Sequence, residues 1–85
     1  MDFFIMDKQK YIKVDGMLIN VNHIVLVNKT ESYLDGKNIK IYLSYNYKIK
    51  ILDTDESLYE KIINFIINDT TEENVLYIDN EAEKM

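Results

Sequence analysis

Residues 38–52, NIKIYLSYNYKIKIL, and residues 57–67, SLYEKIINFII, decide how this chain folds. In the first stretch Ile39, Ile41 and Leu43 alternate with Lys40, Tyr42 and Ser44. Past a tight turn at Tyr45-Asn46, Tyr47, Ile49 and Ile51 alternate with Lys48 and Lys50. An apolar residue at every second position marks strands with one buried face. The second stretch changes period. At 100° per residue, Leu58, Ile62, Phe65, Ile66, Tyr59, Ile63 and Ile67 cover an arc of about 200°, leaving Glu60, Lys61, Asn64 and Asn68 on the wet side. A helix lying on one sheet needs an apolar stripe of roughly 100°. The surplus calls for a second covering element or a second subunit, and Tyr59, Ile63 and Ile67 are the candidate oligomer face.

Ser57 and Glu60 have capping-box spacing. Asp53, Asp55 and Glu56 stand where the positive end of the helix dipole favours acids. Upstream, Ile12 and Val14 flank Lys13, and Asp15-Gly16 reads as a two-residue hairpin turn of type I′, returning through residues 17–19. Asn20-Val21-Asn22 is turn-like. Residues 24–27 form a continuous apolar run expected as a central strand, and 31–38, with Asp35-Gly36, a loop or ragged hairpin end. Residues 75–78 are expected as an edge strand or docking strip, and 80–85 as a frayed acidic tail. The expected fold class is α+β: a small antiparallel β-meander of four to five strands with one amphipathic helix packed on it. It forms a single domain, 1–85, with the N-terminal segment 1–9 and the acidic tail 79–85 peripheral.

A chain of 85 residues buries only about 60–65% of its unfolded surface, so the core is thin. The sequence contains no cysteine, which removes disulfide staples and thiolate metal sites, and its one histidine rules out a His-rich zinc site. Association is the remaining route to extra stability. The opening MDFFIMDK is too short and acidic for a signal peptide, and no run approaches the roughly 18 apolar residues of a membrane span. The expected location is cytoplasmic (the host cytoplasm if the chain is phage-encoded), with no membrane partner.

Charge is unevenly placed. Residues 7–52 carry eight lysines against four acids, while 53–85 carry ten acids against Lys61 and Lys84. On the lysine-rich part, Tyr11, Lys13, Lys40, Tyr42, Lys48 and Lys50 fall on the side of the sheet opposite the expected core. Lysine binds phosphate as a point charge and tyrosine offers a stacking surface, so this candidate binding face suits a nucleotide or single-stranded RNA. An ordinary solvated sheet face explains the same residues, and the absence of arginine together with the acidic net charge favours that simpler reading. On the acidic part, Glu60, Asp69, Glu72, Glu73, Asp79 and Glu81 are a candidate surface for mimicking phosphates, against the simpler reading of solubility.

Catalytic chemistry finds little to work with. His23 has only Asn20 and Asn22 as polar neighbours in sequence, which suits a structural turn histidine better than a general base. Asp53, Asp55 and Glu56 lack the alternating ligands and mid-loop glycine of a calcium site. With glycine only at 16 and 36 there is no phosphate loop. No enzyme activity, metal or cofactor is expected.

Val14-Asp15-Gly16, then Ile19-Asn20-Val21-Asn22-His23-Ile24, then Glu56-Ser57 with Leu58, Ile62 and Phe65, follow one another in an order that resembles the small flagellar FlbD family. The resemblance covers about residues 11–67. It departs at 29–38, where the family has a Pro-Asp-Thr approach, at Ser44-Tyr45-Asn46-Tyr47, which replaces a glycine turn, and at both ends. It implies a small non-enzymatic accessory or regulatory factor. The function expected is therefore a non-catalytic binding or regulatory protein acting through protein–protein contacts, as a homo-oligomer. The alternatives are a phage-type inhibitor of a nucleic-acid enzyme, anti-CRISPR-like, working through the acidic surface, and nucleotide or RNA capture on the Lys/Tyr face.

Overall fold

In the computed structural model, which describes residues 9–34, 36–53, 57–68, 73–80 and 82–84, the alternating runs become strands and the 3.6-residue pattern becomes a helix. The described order is β1 (Tyr11–Val14), β2 (Met17–Asn20), a 3-10 turn (Val21–His23), β3 (Ile24–Ser32), β4 (Gly36–Leu43), β5 (Tyr47–Leu52), α1 (Leu58–Ile67), β6 (Val75–Ile78) and β7 (Ala82–Lys84). The class is α+β.

A single antiparallel meander is not what forms. The strands divide into a three-stranded sheet, β2-β1-β6, and a four-stranded sheet, β3-β4-β5-β7. Moreover, β6 runs parallel to β1, with Ile12 opposite Leu76 and Val14 opposite Ile78. A parallel neighbour requires a long crossover. Here the connection runs back through β2, then through the second sheet as far as β5, and then through α1.

The first hairpin turns at Asp15-Gly16, with Val14 opposite Met17. Its positive φ belongs to Asp15 (55°) and not to Gly16, so the turn is not type I′, which needs positive φ at both central residues. The β4–β5 turn is a three-residue connection closing on Leu43 and Tyr47. The Asn46 amide donates to the Leu43 carbonyl at 3.2 Å. Asn46 itself sits at φ 62°, a left-handed conformation asparagine tolerates better than most residues.

Two further expectations change and one is settled. Residues 24–27 were expected to be central, yet β3 is an edge strand of the second sheet and none of its residues is fully buried. Residues 31–38 were expected to be a loop or a ragged hairpin end, and it is the hairpin that forms, with β3 and β4 paired in regular register as far as Ser32 and Gly36. The tail was expected to fray, yet Ala82–Lys84 pairs with β5, placing Ala82 opposite Ile51 and Glu83 opposite Lys50. The Asn80 side-chain amide donates to the Leu52 carbonyl at 2.8 Å and anchors the approach to that strand.

One apolar cluster holds these parts together. Ile12, Val14, Ile19 and Ile78 come from the first sheet, Ile39, Ile41, Leu43, Ile49 and Ile51 from the second, and Leu58, Ile62 and Phe65 from α1. The apolar surplus of the helix is taken up largely within the chain, for Tyr59 and Ile66 pack against this cluster.

The ends of α1 are held unequally. Ser57 occupies the N-cap position, but its side chain makes no capping bond, so the capping box is not formed. Asp53 continues the β4–β5 pairing instead of standing at the helix start, its amide donating to the Lys37 carbonyl at 2.9 Å. Asp55 and Glu56 lie outside the described residues. At the other end the Lys10 ammonium donates to the carbonyls of Phe65 (2.9 Å) and Asn68 (2.6 Å). It also lies 5.4 Å from the centroid of the Phe65 ring. A cation at a helix C-terminus satisfies orphan carbonyls and opposes the dipole.

Urea denaturation should show three outcomes. Ile62→Ala removes a fully buried side chain and should lower stability by about 2–5 kcal/mol, whereas Asn64→Ala on the exposed helix face should stay within about 0.5 kcal/mol. Lys10→Met keeps the aliphatic stem and loses the two carbonyl bonds, so it should cost about 1 kcal/mol.

Candidate functional site

The β3–β4 hairpin keeps its strand pairing past the last buried residues, Asn38 and Ile39, to a fully exposed end. Its register runs from Ile24 opposite Leu43 out to Ser32 opposite Gly36, over strands of nine and eight residues. β-branched residues recur along it: Ile24, Val25, Val27 and Thr30 on one strand, Ile39 and Ile41 on the other. At its far end Tyr33 and Leu34 form the turn, and Gly36 takes a φ of +74° that a side chain would strain. Tyr33 is fully exposed and Leu34 is 91% exposed. Val25 and Leu26, nearer the base of β3, are more than half exposed. The molecule measures 53 Å along its longest axis against 26 and 20 Å across.

The base of the hairpin is secured by two ring contacts. His23 Nδ1 lies 3.3 Å from the Ser44 hydroxyl. Its ring meets Tyr45 edge-on at 5.6 Å between centroids. His23 thus ties the start of β3 to the β4–β5 turn. Further along β3, the Lys29 ammonium lies 5.8 Å from the centroid of the Tyr59 ring, linking the strand to α1.

The six residues of the Lys/Tyr face do not share one sheet. Tyr11 and Lys13 belong to β1, and Lys40, Tyr42, Lys48 and Lys50 to the second sheet. On the first sheet Lys13 lies between Leu18 and Tyr77 in register, both exposed. Lys13, Asp15, Tyr77, Asp79 and Asn80 border an open cleft of about 500 Å³. The Lys13 ammonium is 3.3 Å from the Asp15 carbonyl, which it reaches as donor. On the second sheet Lys40 stands directly opposite Lys50, and Tyr42 opposite Lys48. The Lys48 ammonium is 5.6 Å from the centroid of the Tyr42 ring. Leu26 and Leu52 flank these lysines on the same face, opposite Tyr42 and Asn38 respectively.

Of the acidic set, Glu60 is in the first turn of α1, Glu73 precedes β6 and Asp79 follows it, all three exposed. Asp69, Glu72 and Glu81 lie outside the described residues. Of the candidate oligomer face, Tyr59 and Ile63 are partly buried and Ile67 is 67% exposed. Among the described residues no group of three or more His, Cys, Asp or Glu could hold a metal ion. No helix of the described residues is long and apolar enough to cross a membrane.

The sequence left residues 31–38 open between a loop and a ragged hairpin end, and β3–β4 pairing out to Gly36 settles it as a hairpin. The local signal for that hairpin is Asp35-Gly36, a turn pair set between two β-branched runs. No family model, no curated protein and no solved structure matches the chain.

Like charges directly opposite one another weaken a strand pair. Lys40→Gln should therefore raise the urea midpoint slightly in low salt, and the gain should shrink in about 0.5 M NaCl as screening sets in.

Proposed function

We propose that this chain is a small non-catalytic binding protein that works through protein–protein contacts, with the β3–β4 hairpin as its contact surface. The observation that carries the reading is the pair Tyr33 and Leu34, held in water at the end of a paired arm. Burying an aliphatic or aromatic side chain is worth about 1.5–3 kcal/mol. The turn needs neither residue for its geometry, since Gly36 supplies the unusual φ. Tyrosine is enriched at the centres of protein interfaces. A protein surface supplies the apolar cover that both residues lack in the isolated chain. A binding role is also what the resemblance to the flagellar FlbD family implies.

The test places a photo-crosslinking aromatic residue at position 33 in living cells, with position 64 on the exposed face of α1 as control. Position 33 should crosslink to protein, and Leu34→Ser should lower that yield roughly fivefold or more, as loss of an interface anchor does. A yield from position 33 no greater than from position 64 would overturn the reading.

A further inference from the structure

Four strands have an open edge in the described sheets, and three are short. β2 and β6 have four residues each and β7 has three, while β3 has nine. A short edge offers little to pair with, but a long one presents a row of unpaired backbone groups that templates another strand. The bulge between Ile24 and Leu26 breaks the regular register at the base of β3, so the regular edge begins at Leu26.

Resting on the reading of the hairpin as a protein-binding surface, we propose that its partner is a second copy of this chain. The two β3 strands pair antiparallel about a twofold axis, with Thr30 opposite Thr30 of the second copy. In that register Lys29 meets Glu31 and Glu31 meets Lys29, two opposite-charge pairs from one symmetric contact. Asn28 meets Ser32, and just past the end of the strand the turn residues Tyr33 and Leu34 fall beside the Val27 and Leu26 end of the other copy. The two exposed tip residues each find an apolar residue of β3. Sheet faces also match, because the paired positions have the same parity and side chains alternate every residue.

Neighbouring registers fail on the same criteria. Centring on Lys29 sets lysine against lysine and Val27 against Glu31. Centring on Glu31 sets glutamate against glutamate and Leu34 against Asn28. A shift of one residue turns the core face of one copy to the outer face of the other. The result is one eight-stranded sheet running through both copies.

The chain has no cysteine, which makes a direct test available. Directly opposite residues in an antiparallel pair have Cα atoms about 4.5–5.5 Å apart, inside the span of a disulfide. Thr30→Cys should form a covalent dimer under mild oxidation. Asn28→Cys, which faces position 32 of the other copy, should not. Sedimentation equilibrium of the full chain should give twice the 10.1 kDa monomer mass at tens of micromolar. Lys29→Glu and Glu31→Lys should each weaken the dimer roughly tenfold or more, since each sets like charges together. Because Glu31 also stands opposite Lys37 within the hairpin, the double variant Lys29→Glu/Glu31→Lys is made together with Lys37→Glu and should recover most of that loss, with circular dichroism confirming that every variant folds.

A wild-type mass of 10.1 kDa up to about 100 μM, with equal crosslinking at positions 30 and 28, overturns the homodimer. Crosslinks from position 33 to a different protein would leave the binding reading standing in that case. Dimer weakening by both single variants with no recovery in the combined variant overturns the register.

Discussion

Because the inward faces of both sheets and the buried stripe of α1 meet in one aliphatic cluster, neither sheet has a core of its own. Each sheet is a ribbon of three or four strands, and such ribbons are stable only with a hydrophobic face packed against something. Ile62, fully buried, is the helix's deepest contribution to that shared interior. Lys10 holds the C-terminal end of α1 from the segment that leads into β1. The N-terminal end has no such side-chain cap. With no cysteine in the chain, the cluster and the strand ladders bear the load that a disulfide bears in many small domains.

This arrangement leaves the β3–β4 hairpin only partly supported. Its base is tied down through His23, Ser44 and Tyr45 and through Lys29 over Tyr59. Its far half runs beyond the aliphatic cluster, where Glu31, Ser32, Tyr33 and Leu34 are all exposed. The backbone pairing continues out to Gly36 even so. An exposed two-stranded arm is marginal on its own, and its apolar tip is unfavourably placed in water. A partner strand along β3 relieves both conditions with one contact, which connects the thin core to the proposed association.

The alternating runs around Ile39–Ile41–Leu43 and Ile49–Ile51 and the helical run from Leu58 were legible because each pattern lies within a few residues of itself. Period 2 and period 3.6 report which face is buried. They say nothing about which strand lies alongside. The parallel pairing of β1 with β6 joins residues more than sixty positions apart, and no local signal marks it. The Lys/Tyr face failed to stay together for the same reason: Lys13 and Lys40 each alternate with core residues along a strand, but the strands belong to different sheets. The helix was likewise given a surplus apolar surface because only one sheet was expected to cover it.

What the sequence determined by itself was the class of the elements, the positions of the helix and of the β1–β2 and β4–β5 hairpins, and the identity of most core residues, since hydrophobic alternation and turn chemistry act over short spans. Only the tertiary structure decided that the strands divide into two sheets, that β3 lies at an edge, that residues 82–84 close the far side of β5, and that Tyr33 and Leu34 stand at the end of an arm. Edge and centre differ only in what lies beside a strand. That is fixed by contacts between distant residues competing for one small core, and those contacts exist only once the chain has folded.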